Sequence, residues 1–462
     1  MSKKESKVGK KAVFIGIGTV SDITAYQSFI LLSFTFFFAV VGINVLLISI
    51  GFIIWSIWNA FNDPLIGYFS DRSHTKWGRR IPWIMISAIP LAITMILLFV
   101  PVLFIGIVSE LGNFVYFLII IVIFEFFYTM YSLNLTSLFP EIFITEEERT
   151  SGNNIRQVFT IVGLIFAFIL PGLIITPKYS TPDDPMTYLL FGVIACIIII
   201  IGAVVFLKSG PKERAEFQKE YQNAPSLFNS MKSCVKSKAF MWYIPAEIAN
   251  WFVYGMLPTV VPLYVEYVLG GSSGDTSIML GLTFLSAALF MTIIWKPIVR
   301  KLGNRKSWMI SMTVWIATLI PLMFIQDVTS GIIVFFLVGI GLSGSLYIID
   351  LIVADIVDDD ELRTGNRKEG GYYGVNAFFL RFSNVLVILA VGIIFGYNGW
   401  QEFTPTPGIQ TIMGLKVLMC VLPSIALITA ILAIYKYPLD EEKLVQVKEG
   451  VKKLHEEKQS KI

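Results

Sequence analysis

The sequence predicts an all-α membrane protein in which twelve transmembrane helices form two pseudo-symmetric six-helix bundles. Three observations lead there. Of the 462 residues, 55% are hydrophobic and only 15% charged, with a mean hydropathy of +0.72; a soluble chain carries about 25% charged residues. The apolar residues are gathered into runs long enough to cross a hydrocarbon layer of about 30 Å. Lys and Arg concentrate in one set of the breaks between those runs, as short loops on the cytoplasmic side do.

In chain order the runs are 12–38, 43–70, 82–104, 113–138, 150–175, 188–207, 239–262, 277–298, 308–325, 331–354, 370–395 and 412–435. The basic breaks are the N-terminus, the 71–80 loop, 208–238, Arg300-Lys301 with Arg305-Lys306, Arg363 to Lys368, and the tail. The other set includes 39–42 and 105–112, where Glu110 is the only charge. This asymmetry puts both termini in the cytoplasm of a cell-membrane protein. In the 139–149 loop Glu146, Glu147 and Glu148 outweigh Arg149, but acidic residues count little in this rule. The N-terminus M-S-K-K-E-S-K-V-G-K-K is basic and has no A-x-A pattern, so it reads as a cytosolic lead rather than a signal peptide.

The 208–238 segment is the only long polar stretch between spans. It divides a first bundle, 1–207, from a second, 239–435, and leaves 436–462 as a cytosolic tail, read as a solvated end or a surface helix. A short internal echo supports the division. D-R-S-H-T-K-W-G-R-R-I-P-W after the second run is matched by V-R-K-L-G-N-R-K-S-W after the eighth, the arrangement of repeat-built transporters.

Composition also excludes. Three cysteines and two histidines cannot build a disulfide framework or a His-rich metal centre. No G-x-x-x-x-G-K-[ST] occurs, which argues against ATP-driven pumping, and no Ser-His-Asp or H-E-x-x-H set can be assembled. The expectation is a non-enzyme without cofactor or nucleic-acid partner, monomeric among membrane lipids.

The candidate functional residues are the polar ones inside the spans. Asp63 is eight residues from the first exposed charge, Asp71, hence about 12 Å up a helix and near the midplane. An ionised group there costs about 2.5–3.5 kcal/mol on insertion scales and marks an ion or proton site unless it is paired for packing. Asn59 lies one turn earlier on the same face. Asp22 is deep in helix 1, Glu125 and Ser132 share a face of helix 4, Arg156 is in helix 5, Glu247 and Asn250 in helix 7, Arg381 and Asn384 in helix 11. Asp22, Asp63, Glu125 and Glu247 outnumber Arg156 and Arg381. The surplus must be protonated, hydrated or met by a bound cation, which is how a carboxylate ties cation binding to conformation. Glu125 and Glu247 remain open between functional and structural roles.

At the end of helix 10, Asp355 and Asp358 share a helix face, opposite the basic residues of Arg72–Arg80 and Arg363–Lys368. They read as a cytosolic gate, whereas Asp359, Asp360 and Glu361 read as solvated, with weak surface pairs of about 0–1 kcal/mol. Gly339, Gly341, Ser343, Gly344 and Ser345 permit close helix approach.

Asn62-Asp63-Pro64 through Gly67, Asp71-Arg72, Gly78-Arg79, Pro82-Trp83, and V-A-D-I-V-D-D-D-E-L-R-T-G-N-R-K-E-G-G-Y-Y-G from Val353 to Gly374 resemble the glycoside–pentoside–hexuronide:cation symporters of the major facilitator superfamily. The resemblance covers most of the chain and implies that superfamily's twelve-helix fold, alternating access, and symport driven by Na⁺, Li⁺ or H⁺. It implies that Asp63, with Asn59 and Ser132 beside it, holds the cation, and that Asp22 and Arg156 bind a sugar. Arg381 stands where the family has a cationic residue on helix 11. Asp71, Arg72, Arg79, Asp355, Asp358, Glu361 and Arg367 resemble its cytosolic gate charges.

The chain departs from the melibiose-carrying members in three places. Asn59 replaces a second acid, while Ser132 and Thr136 replace an acid and a stacking Trp on helix 4. With Glu125, Thr136 completes the candidate solute site. The missing carboxylate weakens Na⁺ against H⁺, and the missing Trp removes a platform for a sugar ring. Eukaryotic relatives with a similar D-E-L-R-T-G-x-R-x-E-G stretch carry lysophospholipids. The expected function is therefore a cation-coupled symporter for a small solute, a sugar or glycoside. The alternatives are a lysolipid or amphiphile carrier and, in another class, a non-transporting receptor or scaffold.

Overall fold

The computed structural model describes residues 3–73, 75–100, 109–143, 146–209, 234–365 and 369–460. Almost all are helical, and the only β pairing among them is an isolated bridge between Thr75 and Gly78. The first six helices are α1 (Lys3–Thr35), α2 (Val45–Arg72), α3 (Ile81–Leu98), α4 (Glu110–Ile142), α5 (Glu146–Leu164, continued through Leu170–Ile174) and α6 (Met186–Ser209). Next come α7 (Lys238–Tyr267) and α8 (Ser273–Phe290), which runs on into the helix Lys296–Leu319. That helix breaks at Gly303, where φ is +75°, a left-handed conformation that glycine adopts without steric cost; the residues after the break are α9. Finally come α10 (Val328–Thr364), α11 (Glu369–Tyr397), α12 (Ile409–Lys416, continued through Leu422–Tyr435) and α13 (Glu441–Ser460). Counting α8 and α9 separately, twelve of the described helices are apolar and long enough to cross a membrane.

Three of these helices widen into a π turn for one reason. The turns Ile165–Ile169, Met291–Trp295 and Val417–Val421 are followed at once by Pro171, Pro297 and Pro423. A proline ring collides with the carbonyl four residues back, and here that residue (Ala167, Ile293 or Met419) lies inside the π turn. The wider turn takes up the missing N–H and the clash together. At the start of α10, Asp327 accepts from Ser330 N at 2.9 Å and Ser330 Oγ at 2.7 Å, which holds its carboxyl below the usual range.

The helices cluster into two units. The first comprises Met1–Ala224 with Val261–Gly281 and Val391–Ile412. Within it Phe38 meets Trp400 edge-on at 5.2 Å, and buried Glu266 accepts from Tyr179 N at 2.5 Å and from Ser180 N and Oγ. The second comprises Pro225–Val260, Leu282–Ala390 and Met413–Ile462. Its core uses the small residues of α10. A Cβ on Gly341 would stand 2.3 Å from Trp315 Cα, so α9 and α10 touch backbone to backbone. Trp295 Nε1, in the π turn that continues α8, donates to Ile340 O of α10 at 2.7 Å.

Two expectations, one about the tail and one about the end of α10, are corrected. The tail is a helix docked on the second unit, not a solvated end. Val447 and Val451 recur one turn apart and are buried, Lys306 pairs with Glu441 at 3.2 Å, and Gly450 lies against Leu362. Likewise α10 continues through the acidic run to Thr364, ten residues past the expected end at 354. Asp360 and Glu361, expected in water, are each 1% exposed, and Asp360 pairs with Arg363 at 2.5 Å. The charges end the membrane-compatible stretch without ending the helix.

Candidate functional site

The buried polar residues of α1, α2, α4 and α5 gather into two neighbouring clusters in the first unit. In one, half-buried Asp63 of α2 faces α4. Thr129 Oγ1 lies 3.1 Å from Asp63 Oδ1 and 3.4 Å from Oε1 of Glu125, which is fully buried. A single hydroxyl thus bridges two carboxyl groups on facing helices. Asn62 Nδ2 donates to the Glu125 backbone carbonyl at 3.2 Å and locks the two helices at this level. Asn59, one turn before Asp63, is fully buried, and neither atom of its amide has a hydrogen-bond partner. Buried amides are normally paired, and this one is not.

The second cluster is built on Asp22 of α1, 9% exposed. Ser132 and Tyr128 of α4 lie beside its carboxyl, whose Oδ1 has no hydrogen-bond partner, and the Arg156 guanidinium of α5 faces it. Tyr128 stacks on Tyr26 with centroids 4.9 Å apart, and Arg156 lies 4.8 Å over the Phe139 ring. An acid, a base and a half-buried aromatic pair converge here, able to bond a polar solute on one side and pack an apolar face on the other.

The grouping differs from the expected one in two residues. Ser132, expected beside Asp63, lies on Asp22; Glu125, expected with the solute residues, lies beside Asp63. Thr136 is exposed one turn past Ser132, and Arg381 is half-buried in α11 of the second unit. Thr129, Tyr128 and Tyr26 escaped the sequence reading. Thr129 is four residues past Glu125 and Tyr128 four before Ser132, so helical spacing from the polar residues already singled out would have found both.

The expected gate residues occupy varied environments. Arg72 is exposed with its guanidinium 3.5 Å over Tyr68, while Arg79 is 2% exposed. Asp355 is 4% exposed, and its partners are Asn304 Nδ2 at 2.5 Å and Lys448 Nζ of α13 at 3.5 Å, both in the second unit. Neither partner stands out in the sequence. Asp358 is half-buried and Glu361 buried. The side chain of Asp71 and all of Arg367 lie outside the described residues.

Twelve apolar helices with ionisable side chains inside them define a multi-pass membrane transporter of the major facilitator fold. Solved structures carry the same fold at low identity. The nucleoside transporter NupG superposes with a TM-score of 0.67 at 14% identity, over 92% of this chain and 99% of its own. A bacterial homolog of the human lysosomal transporter Spinster gives 0.62 at 14% identity, over 95% and 98%.

The chain belongs to the MFS/sugar transport protein family, whose model matches residues 15–441. Its relatives include an uncharacterized symporter of Synechocystis, 23% identical over 87% of this chain and 88% of that one. The isoprimeverose transporter of Lactiplantibacillus pentosus is 25% identical over 83% and 79%. The sodium-dependent lysophosphatidylcholine symporter 1 of Mus musculus is 24% identical over 87% and 80%.

Proposed function

We propose that the protein is a cation-coupled symporter working by alternating access, with Asp63 and Glu125 as the cation site and Asp22 with Arg156 as the solute site. The observation that carries this is the Thr129 hydroxyl shared between Asp63 and Glu125. Two carboxyl groups that share one hydroxyl in an apolar layer are both stabilised by a cation bound beside them. Two carboxylates, a hydroxyl and the unpartnered amide of Asn59 suit one small monovalent ion, Na⁺ or H⁺. Glu125 of α4 supplies in space the second acid that Asn59 denies to α2.

The solute is a sugar or glycoside. Its hydroxyls match the acid–base pair of Asp22 and Arg156, and the Tyr26–Tyr128 stack offers a ring face. The sugar-carrying relative supports this assignment, while the lysolipid-carrying one keeps an amphiphile as the second candidate. The carrier sits in the cell membrane as a monomer with both termini cytoplasmic, and its halves are 1–207 and 239–435, joined by 208–238. Asp355, Asp358, Glu361 and Arg367, with Asp71, Arg72 and Arg79, act at its cytosolic gate.

The test is uptake into sealed proteoliposomes from a panel of sugars and lysolipids, under separate Na⁺ and H⁺ gradients. Accumulation that collapses with one gradient supports symport and names the ion. Binding without accumulation overturns it in favour of a receptor.

A further inference from the structure

The second unit holds a buried carboxyl that the transport site does not use. Glu247 of α7 is 1% exposed. Its Oε1 accepts from Trp251 Nε1 at 3.0 Å and from Asn376 Nδ2 of α11 at 3.2 Å. Its Oε2 has no hydrogen-bond partner, and neither does Asn376 Oδ1, on the same amide that already donates to Oε1. An acceptor on the acid and an acceptor on the amide are thus both orphaned, beside an N–H···O bond that already joins the two groups. A carboxylic acid and a carboxamide form a cyclic pair through one N–H···O and one O–H···O bond. One proton on Oε2 supplies the second, converting an acceptor to a donor and satisfying both atoms; the unpartnered hydroxyl of Tyr243, one turn before Glu247, faces the same two groups and is the competing donor.

The surroundings favour a proton over a metal ion. The groups turned on Oε1 are N–H donors, which repel a cation, and Trp251 lines a small cavity with Tyr254 and Trp315. The titratable groups facing Glu247 among the described residues are Tyr243 of its own helix and Asp350 of α10. Neither is basic, so no protein cation among them offsets a charge on Glu247.

We propose that Glu247 is a proton-binding site in which the protonated carboxyl closes a two-bond ring with the Asn376 amide and ties α7 to α11. The site is separate from the cation site at Asp63, and its occupancy can be read without transport. When the proton leaves, the O–H···O bond is lost and a bare carboxylate oxygen is left in an apolar interior. The α7–α11 tie therefore weakens as pH rises.

The test is infrared difference spectroscopy of the full-length protein with ¹³C-labelled glutamate, titrated across neutral pH, beside Glu247→Gln and Asn376→Leu. Glutamine can make the same ring with Asn376 without titrating, so Glu247→Gln is expected to stay folded and to lose one isotope-sensitive carboxylic-acid C=O band. Asn376→Leu is expected to keep that band and move it to higher frequency, because the carbonyl loses hydrogen bonds. Thermal stability of the unaltered protein is expected to fall with rising pH over the same range, and that fall is expected to be absent in Glu247→Gln. The proposal is overturned if Glu247→Gln retains every isotope-sensitive acid band, or if Asn376→Leu leaves the band where it was. Should Glu247→Gln fail to fold, the Asn376→Leu shift decides alone.

Discussion

The Thr129 hydroxyl lies 3.1 Å from Asp63 Oδ1 and reaches it from α4, one turn beyond Glu125. If that hydroxyl helps hold the coupling ion, Thr129→Val keeps the side-chain shape and removes the oxygen. A hydrogen bond to a charged group is worth about 1.5–3 kcal/mol, so the cation concentration for half-maximal uptake is expected to rise about tenfold or more. Thr129→Ser restores the oxygen and is expected to recover most of the affinity. Equal cation dependence in the Val and Ser variants would remove Thr129 from the site.

Asp63 itself separates binding from coupling. Asp63→Asn keeps the volume and removes the charge that draws the ion. Gradient-driven accumulation is expected to vanish, while the variant inserts, elutes as a single species and retains its helical circular dichroism. Concentrative uptake at the normal level by this variant would sink the assignment.

Much of this arrangement was legible in the sequence, and the misreadings have definite causes. Long apolar runs fixed the spans because nothing else in a chain tolerates so many consecutive apolar residues. Helix ends were misjudged where charge and helicity part company, as from Asp355 to Thr364 in α10. The exchange of Ser132 and Glu125 has a finer origin. Seven residues of α-helix fall about 20° short of two full turns, so the two share a face without lying on one line. The seam between α1 and α2 runs through that gap, leaving Tyr128 and Ser132 on the Asp22 side and Glu125 and Thr129 on the Asp63 side. Sequence spacing cannot say where a neighbour's seam falls. The π turns were not read from the sequence: three precede Pro171, Pro297 and Pro423, but Phe36–Val40 precedes no proline and Pro64 and Pro90 lie in helices that do not widen.

Arg156 is expected to act on the solute and not on the ion. It faces Asp22 and lies over Phe139, so both its charge and its planar fork matter. Arg156→Lys keeps the charge but loses the fork and the stacking. Solute affinity is expected to fall about 10-fold or more, from the loss of a hydrogen bond to a charged group, while the cation dependence of binding stays unchanged. Binding measured in detergent with and without the coupling ion checks this. A parallel loss of ion response would merge the two clusters into one site.

The docked tail helix offers a test on stability. Val447 and Val451 are 3% and 8% exposed, and Lys448 between them reaches buried Asp355 at 3.5 Å. Burying a Val side chain contributes about 1.5–3 kcal/mol, and an aspartate in its place would have to give up its water without a partner. Val451→Asp is therefore expected to release α13, taking Lys448 from Asp355 and leaving that carboxyl with Asn304 alone. Lys448→Ala removes only a half-exposed ion pair, worth about 0–1 kcal/mol, and is expected to leave the helix docked. Limited proteolysis separates the two: rapid cleavage after Lys448, Lys452 or Lys453 is expected in Val451→Asp and not in Lys448→Ala. Equal protection in both would show that the helix is held by something other than its valine face.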